Sequence, residues 1–192
     1  MRQMCRALFV AITALAWVGC SSSSPSGPSS GSTLNVMLTD SPFSDAKALL
    51  VTFSEVSAHV SGAGNFTTLP FSGGGTSRTC DLKKLTNAQD VLGAGALAAG
   101  HYTQVRLTVS SAVIYFDNAS TGSACAPSIP APAGTSATVT IPSGQVILNR
   151  EFDVTTSGAT TMVLDFDGDQ SVRLQGNGQY SMTPVIAVKS VQ

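Results

Sequence analysis

The stretch HYTQVRLTVSSAVIYFD, which occupies residues 101–117, decides the fold of this chain. Val105, Leu107 and Val109 alternate with polar residues, and this period of two is typical of a strand with one buried face. After two serines the apolar phase resumes at Val113. The stretch therefore predicts one long β-strand that buries one face against a core.

Shorter apolar segments occupy most of the chain on either side, with the same alternation at 33–39 and without helical spacing at 48–60. Turn sequences separate them, such as PSG at 142–144 and GNG at 176–178. This spacing predicts an all-β fold, an antiparallel β-sandwich of seven to nine strands. The other predicted strands are 33–39, 48–60, 65–71, 136–141, 145–154, 160–167 and 179–191.

Two long connections separate these strands, 80–100 and 118–134, and they contain Cys80 and Cys125. Within the first, glycines interrupt a helix-forming composition at 87–99, which predicts a loop with at most one helical turn. Two cysteines in an exported chain predict one disulfide, with a pair of free thiols as the alternative.

The composition excludes several classes of protein. Of 192 residues only 11% are charged, the ten Lys and Arg form no basic stripe, and the formal net charge is −1. These values argue against a nucleic-acid binder, a coiled coil and a multi-span membrane protein. They suit a small secreted β-domain.

The N-terminus carries an export signal. Two arginines precede twelve uncharged residues, 7–18, and a helix of that length spans about 18 Å, too short for a bilayer core of about 30 Å. Gly19 and Cys20 then precede a Ser/Gly/Pro tether, which resembles the lipobox of bacterial lipoproteins although Trp17 replaces the usual leucine. The resemblance implies cleavage before Cys20, a diacylglycerol thioether on its sulfur and, with Ser21 after it, the outer membrane. An ordinary signal peptide with an incidental cysteine is the alternative.

The predicted organisation is thus a signal peptide at 1–19, a lipidated cysteine and tether at 20–32, and one folded domain at 33–192. Four segments of the domain are similar to a known family: LNVMLTDSPFSDAK at 34–47, CDLKKL at 80–85, GHYTQVRL at 100–107 and LDFD at 164–167. The chain resembles the bacterial lipoproteins grouped as domain of unknown function 4382 over 33–191. The resemblance implies a lipid-anchored β-sandwich of immunoglobulin-like or transthyretin-like type. It transfers no catalytic residue, because the family has no assigned activity.

Asp165, Asp167 and Asp169 form the one acidic constellation of interest. Alternate residues of a strand share a face, so three carboxylates would repel unless a cation compensates them. Gly168 could bend the chain around a calcium ion, although the spacing differs from that of EF-hand loops. The alternative is a solvated, acidic strand end. Asp40 is expected to close an Asx turn and Asp45 to cap the turn that follows.

Motifs for catalysis are weak. A GxSxG pattern at 27–31 lies in the tether, an SxxK pattern at 44–47 lacks its partner motifs, and His59 and His101 stand alone. We therefore expect no cofactor apart from the possible calcium, and no enzyme. The expected partners are the membrane, through Cys20, and an unidentified protein or glycan.

Three functions remain open at this point. The first is a non-enzymatic, lipid-anchored envelope module for binding, adhesion or structure. The second is a carbohydrate-binding module, for which Tyr102, Tyr115 and Tyr180 would have to supply the platform because the mature chain contains no tryptophan. The third is a hydrolase or metalloenzyme.

Overall fold

A computed structural model describes residues 32–41 and 46–192 of the chain. The predicted signal peptide, the predicted lipidation site Cys20, the predicted tether before Ser32 and the predicted cap Asp45 lie outside these residues. The described part is almost entirely β, which confirms the all-β prediction. Its strands are β1 (Ser32–Ser41), β2 (Ala48–Val60), β3 (Phe66–Thr68), β4 (Arg78–Asp81), β5 (Asp90–Leu97), β6 (Gly100–Tyr115), β7 (Cys125–Ala126), β8 (Ser136–Thr140), β9 (Gln145–Val154), β10 (Ala159–Asp167), β11 (Val172–Leu174), β12 (Tyr180–Met182) and β13 (Ile186–Val191).

Two helical turns complete the structure. A 3₁₀ helix, Leu82–Leu85, follows β4, and a single α-helical turn, α1 (Gly168–Ser171), follows β10. The strands number thirteen in the described ranges rather than seven to nine. The additional strands are β4, β5, β7 and β11, and the predicted strand 179–191 is divided into β12 and β13. Of these, β4, β7 and β11 have two to four residues, which is too short to show a period in the sequence.

The strands form two sheets. The first has the order β13-β10-β1-β5. The second has the order β11-β12-β8-β6-β2-β4-β7, with β3 paired to β2 and β9 paired to β6. Two pairs are parallel, β1 with β10 and β8 with β12, so the prediction of a wholly antiparallel sandwich is wrong at these two places. Alternation along a strand reports its buried face and carries no information on the direction of its neighbour.

The two sheets enclose one core. In β1 the side chains of Leu34, Val36 and Leu38 are fully buried between the sheets. Phe53 of the second sheet meets Phe166 of the first edge to face, with ring centroids 6.4 Å apart. This contact between facing sheets is the sandwich that the alternation predicts. The immunoglobulin-like or transthyretin-like type implied by the family resemblance stays a prediction.

The segment predicted as a loop at 87–99 contains β5, which pairs antiparallel with β1. Its glycines allow close packing rather than a break in the strand. A Cβ on Gly95 would lie 2.7 Å from Pro70 Cδ, and one on Gly93 would lie 3.2 Å from the Pro70 carbonyl oxygen. The loop prediction was wrong because it treated these glycines as turn residues, whereas the neighbouring chain lies against them.

Cys80 and Cys125 form a disulfide, as predicted, with 4.1 Å between their Cα atoms. They are directly paired residues of β4 and β7. The buried Arg78 donates through Nη2 to the Cys125 carbonyl at 3.2 Å and to Asp90 Oδ1 at 3.3 Å. Asp90 Oδ2 in turn accepts from the Cys125 amide at 3.0 Å. The disulfide region of the second sheet is thereby joined to the start of β5 in the first.

Candidate functional site

Three chain segments meet where β1 ends. They are the last residues of β1, the last residues of β10 with α1 behind them, and the 3₁₀ helix. We call this region the acidic end and define it by Asp40, Asp165 and Asp167 together with Lys83. The parallel register brings the strands to the same end, since Asp40 pairs with Phe166 and Ser41 with Asp167. Three of the four segments that carry the family resemblance contribute to it.

Asp40 is the unusual residue of the acidic end. It continues the buried phase of Leu34, Val36 and Leu38, and it is 3% exposed. Neither of its carboxylate oxygens has a hydrogen-bond partner in the described structure. Burial raises the pKa of Asp40 to about 8, and the negative charges of Asp165 and Asp167 add to the rise. The carboxyl is therefore largely protonated at neutral pH.

Two groups oppose this rise in the pKa of Asp40. The backbone amide of Gly168 lies close enough to lower it, without the geometry of a hydrogen bond, and the charge of Lys83 lowers it further. Residues 42 and 43, which would close the predicted Asx turn, lie outside the described residues, so that turn stays a prediction.

Asp165 lies near the carboxyl group of Asp40, and only one of its own two carboxylate oxygens has a partner in the described structure. Its Oδ2 accepts from Ser41 Oγ at 3.2 Å and pairs with Lys189 Nζ at 3.3 Å. Its Oδ1 is buried, with no partner among the residues that the structure describes. Lys189, on the edge strand β13, therefore compensates only one side of this carboxylate.

The other two aspartates of the predicted calcium site have different surroundings. Asp167 caps α1, accepting from the Gln170 amide at 2.8 Å and from Gln170 Nε2 at 2.6 Å. Asp169 is exposed on α1, where its carbonyl oxygen accepts from Arg173 at 2.6 Å. Within residues 32–41 and 46–192, no group of three or more His, Cys, Asp or Glu is placed to hold a metal ion. The strand ends at Asp167, so the alternation that was to align the three carboxylates stops there. Calcium binding itself stays a prediction.

Asp81 is a second buried aspartate near this end, and it is fully paired. It is 0% exposed. Its Oδ1 accepts from the amides of Leu49 at 3.1 Å and Lys83 at 3.2 Å, and its Oδ2 accepts from Ser120 Oγ at 2.5 Å. It caps the 3₁₀ helix and joins it to β2 and to the connection before β7. These contacts assign Asp81 a structural role.

An open pocket of about 470 Å³ adjoins the acidic end. Its volume lies in the usual range for ligand sites, roughly 300–1,000 Å³. The amide side chains of Asn87 and Gln89 are exposed in it, and Lys189 supplies a charge. The pocket therefore offers hydrogen-bond donors and acceptors and suits a polar ligand. Its lining consists of Thr39, Thr86, Asn87, Ala88, Gln89 and Lys189.

The histidines are held in local contacts. His59 bonds Thr103 Oγ1 through Nδ1 at 3.2 Å and the Ala63 carbonyl through Nε2 at 2.8 Å. His101 pairs with Asp153 at 2.8 Å on an exposed part of the second sheet. The His59 ring thus bridges a threonine hydroxyl and a backbone carbonyl, and the His101 ring contacts a carboxylate. Ser44, from the SxxK pattern, lies outside the described residues.

The tyrosines proposed as a sugar platform are not available for stacking. Tyr102 is 2% exposed, stacks on Phe152 at 5.3 Å and donates its hydroxyl to the Ala98 carbonyl. Tyr115 is buried, and Tyr180 is half-buried against Phe116. The structure thus contradicts this form of the carbohydrate-binding hypothesis.

Comparison with known proteins identifies a family. A family model described as "Domain of unknown function (DUF4382)" matches residues 31–184, which is most of the chain. Searches of curated proteins and of solved structures give no match. In the part of the chain described by the structure, no helix has the length and apolar character needed to cross a membrane.

Proposed function

The chain belongs to the DUF4382 family, and we propose that it is a lipid-anchored, non-catalytic binding module of the bacterial cell envelope. The Gly19-Cys20 boundary supports anchorage, since a small residue before cysteine and a polar tether after it resemble a lipobox. Ser21 after the cysteine supports an outer-membrane destination.

The direction of β1 is the observation that carries this proposal. The strand begins at Ser32, directly after the tether. Thr39, seven residues further along the strand, lines the polar pocket. At about 3.3 Å per residue, the pocket lies about 23 Å along the strand from the tethered end. Eleven tether residues reach at most about 40 Å when extended. The extended tether is therefore longer than the distance from its attachment point to the pocket, so anchorage at Cys20 is compatible with a pocket that is accessible to a ligand.

The pocket favours a polar ligand. Asn87 and Gln89 each carry one acceptor and two donor hydrogens, and Lys189 adds a cation that Asp165 partly neutralises. Such groups suit the hydroxyls of a glycan or the polar surface of a protein. A glycan ligand would be held by hydrogen bonds, because the tyrosines are committed to the core.

Fractionation of the full-length protein tests the anchor. Cys20→Ser should move the protein from the membrane to the soluble fraction, and mass spectrometry of the wild type should find diacylglycerol on Cys20. Cys5→Ser is the matched control, because Cys5 is removed with the signal peptide and should leave anchorage unchanged. Full membrane attachment of the Cys20→Ser protein would contradict the proposal.

A glycan array with the detergent-extracted protein tests the pocket. The double variant Asn87→Ala/Gln89→Ala should lose any signal that the wild type gives. Gln104→Ala is the control, since Gln104 is an amide on the second sheet, where it bonds Asn149 at 2.8 Å. Equal binding by the pocket variant and the control would remove the pocket from the proposal.

A further inference from the structure

We propose that the acidic end is a proton-dependent conformational switch: a proton on Asp40 keeps the ends of β1 and β10 together, and its loss opens them. This inference is independent of the lipid anchor and of the ligand. It rests on where Asp40 lies, on the charges around it and on the contacts that hold the end of β1 among the described residues.

The position of Asp40 makes its ionised form unfavourable. The side chain is 3% exposed and follows the apolar side chains of β1 into the core. Since both oxygens lack hydrogen-bond partners in the described structure, only the nearby Gly168 amide and the charge of Lys83 would compensate an ionised carboxylate. A buried, unpaired charge destabilises a protein much more than its neutral form does.

The charges that face Asp40 come from each element packed against it. Asp165 and Asp167 of β10 are negative, and Lys83 of the 3₁₀ helix is positive, with a smaller effect on Asp40 than Asp165 has. From β13, Lys189 is engaged with Asp165. From α1, the Gly168 amide is the group that acts on Asp40. The negative neighbours thus add to burial in favouring the protonated acid.

Among the described residues, two side-chain hydrogen bonds hold the end of β1 to its neighbours. Thr39 Oγ1 donates to the Leu85 carbonyl at 3.0 Å, and Ser41 Oγ donates to Asp165 at 3.2 Å. The last ladder pairs of β1 and β10 lie beside α1, which is a single turn of four residues. Separation of these residues would let water reach Asp40 while the core side chains earlier in β1, such as Leu34 and Val36, stay packed. Ionisation should therefore open the acidic end before it unfolds the domain.

Hydrogen exchange on the full-length protein in detergent tests the switch. Each amide rate is corrected for its intrinsic pH dependence. Because the raised pKa of Asp40 is about 8, protection at 39–41 and 165–168 should fall about tenfold per pH unit from about pH 5 to 7 and level off above about 8. Protection of core amides such as Val56 and Leu107 should fall much less.

Asp40→Asn is the decisive variant, because an amide of the same shape cannot ionise. It should remove the pH dependence at both segments, whereas Asp153→Asn, which alters an exposed carboxylate, should keep it. Carboxyl carbon NMR of the wild type gives an independent measurement if the Asp40→Asn protein does not fold. A titration midpoint of Asp40 near 8 is expected there.

Three results would overturn the switch. The first is pH-dependent opening that persists in Asp40→Asn, and the second is an Asp40 midpoint near that of a solvated aspartate. The third is recovery of protection at alkaline pH on addition of millimolar calcium, with reversal by EDTA. That recovery would show that a cation, and not a proton, compensates Asp40.

Discussion

Asp81 and Asp40 are both buried aspartates near the end of the sandwich where β1 terminates, but their surroundings differ. Asp81 accepts three hydrogen bonds, from two backbone amides and a serine hydroxyl. Asp40 accepts none from the described residues. The two side chains are buried to nearly the same extent, so the number of hydrogen-bond partners distinguishes their roles. A paired carboxylate stabilises the structure around it, whereas an unpaired one makes the structure sensitive to protons.

The largest effect is expected from Asp81→Ala. The substitution leaves the Leu49 and Lys83 amides and the Ser120 hydroxyl without their acceptor. Since each buried unsatisfied group costs about 1–3 kcal/mol, the free energy of unfolding should fall by about 3–5 kcal/mol. Chemical denaturation measures this loss, with Asp153→Ala as an exposed control. A loss below about 1 kcal/mol would show that water replaces Asp81 at little cost.

The disulfide beside Asp81 should contribute slightly less. Cys80→Ser/Cys125→Ser frees a loop with a sequence separation of 45, and the free energy of unfolding should fall by about 2–4 kcal/mol. Ser120 and Cys125 lie on the same connection, so the effect should not add to that of Asp81→Ala. A double-mutant cycle should give a coupling of at least about 0.5 kcal/mol. Strict additivity would mean that the two features stabilise the region independently.

The pH dependence of stability should distinguish Asp40 from Asp81. Asp40 binds its proton more tightly in the folded chain, so its contribution is full below about pH 4 and declines as the pH rises to about 8. We expect a decline of about 3 kcal/mol in total, because the hundredfold loss of protection between pH 5 and 7 corresponds to about 2.7 kcal/mol and local opening limits any further penalty. Denaturation curves across this window measure the decline.

In the same experiment, Asp40→Asn should be flatter across that window than the wild type. It should also be the more stable of the two proteins at the alkaline end. Parallel curves for the two proteins would mean that other groups cause the decline.

The smallest effect is expected from calcium. Asp167 is occupied as a helix cap and Asp169 points out from α1, so the three aspartates of the predicted site offer no common set of ligands. Millimolar calcium should therefore shift the melting temperature by less than about 1 °C. A true site at a calcium concentration a hundredfold above its Kd would raise the melting temperature by roughly 5–10 °C. A shift of the larger size that Asp167→Asn abolishes would restore the calcium site.

Much of this fold could be predicted from the sequence because apolar residues mark the strands, by alternation in β6 and without helical spacing in β2. The structure places β2 and β9 over the predicted ranges 48–60 and 145–154. It departs from the prediction where side chains are absent, since Gly93 and Gly95 give β5 no period to detect. It also departs in the parallel pairing of β1 with β10, which depends on packing between residues far apart in the chain.

The candidate site was harder to predict. The spacing of Asp165, Asp167 and Asp169 predicted a calcium site. The buried carboxylate whose two oxygens both lack a hydrogen-bond partner in the described structure is instead that of Asp40. One signal was available, because Asp40 occupies the position that continues the apolar series of Leu34, Val36 and Leu38. A charged residue at the end of a strand, at a position where the alternation predicts a buried side chain, identifies a buried titratable group of this kind. Its lack of partners depends on three-dimensional packing and could not be read from the sequence.

The central place of β1 in the first sheet has a consequence for the order of folding. Ser32 bonds the carbonyl of Gly158, 126 residues along the chain, and β1 forms its whole ladder with β10 at this separation. Contacts between such distant residues must close a long loop, and proteins dominated by them fold slowly. β1 therefore cannot complete its pairing in the first sheet until β10 has been synthesised. Until β10 arrives, one edge of β1 remains open to any other strand, and the newly made chain is most exposed to mispairing there.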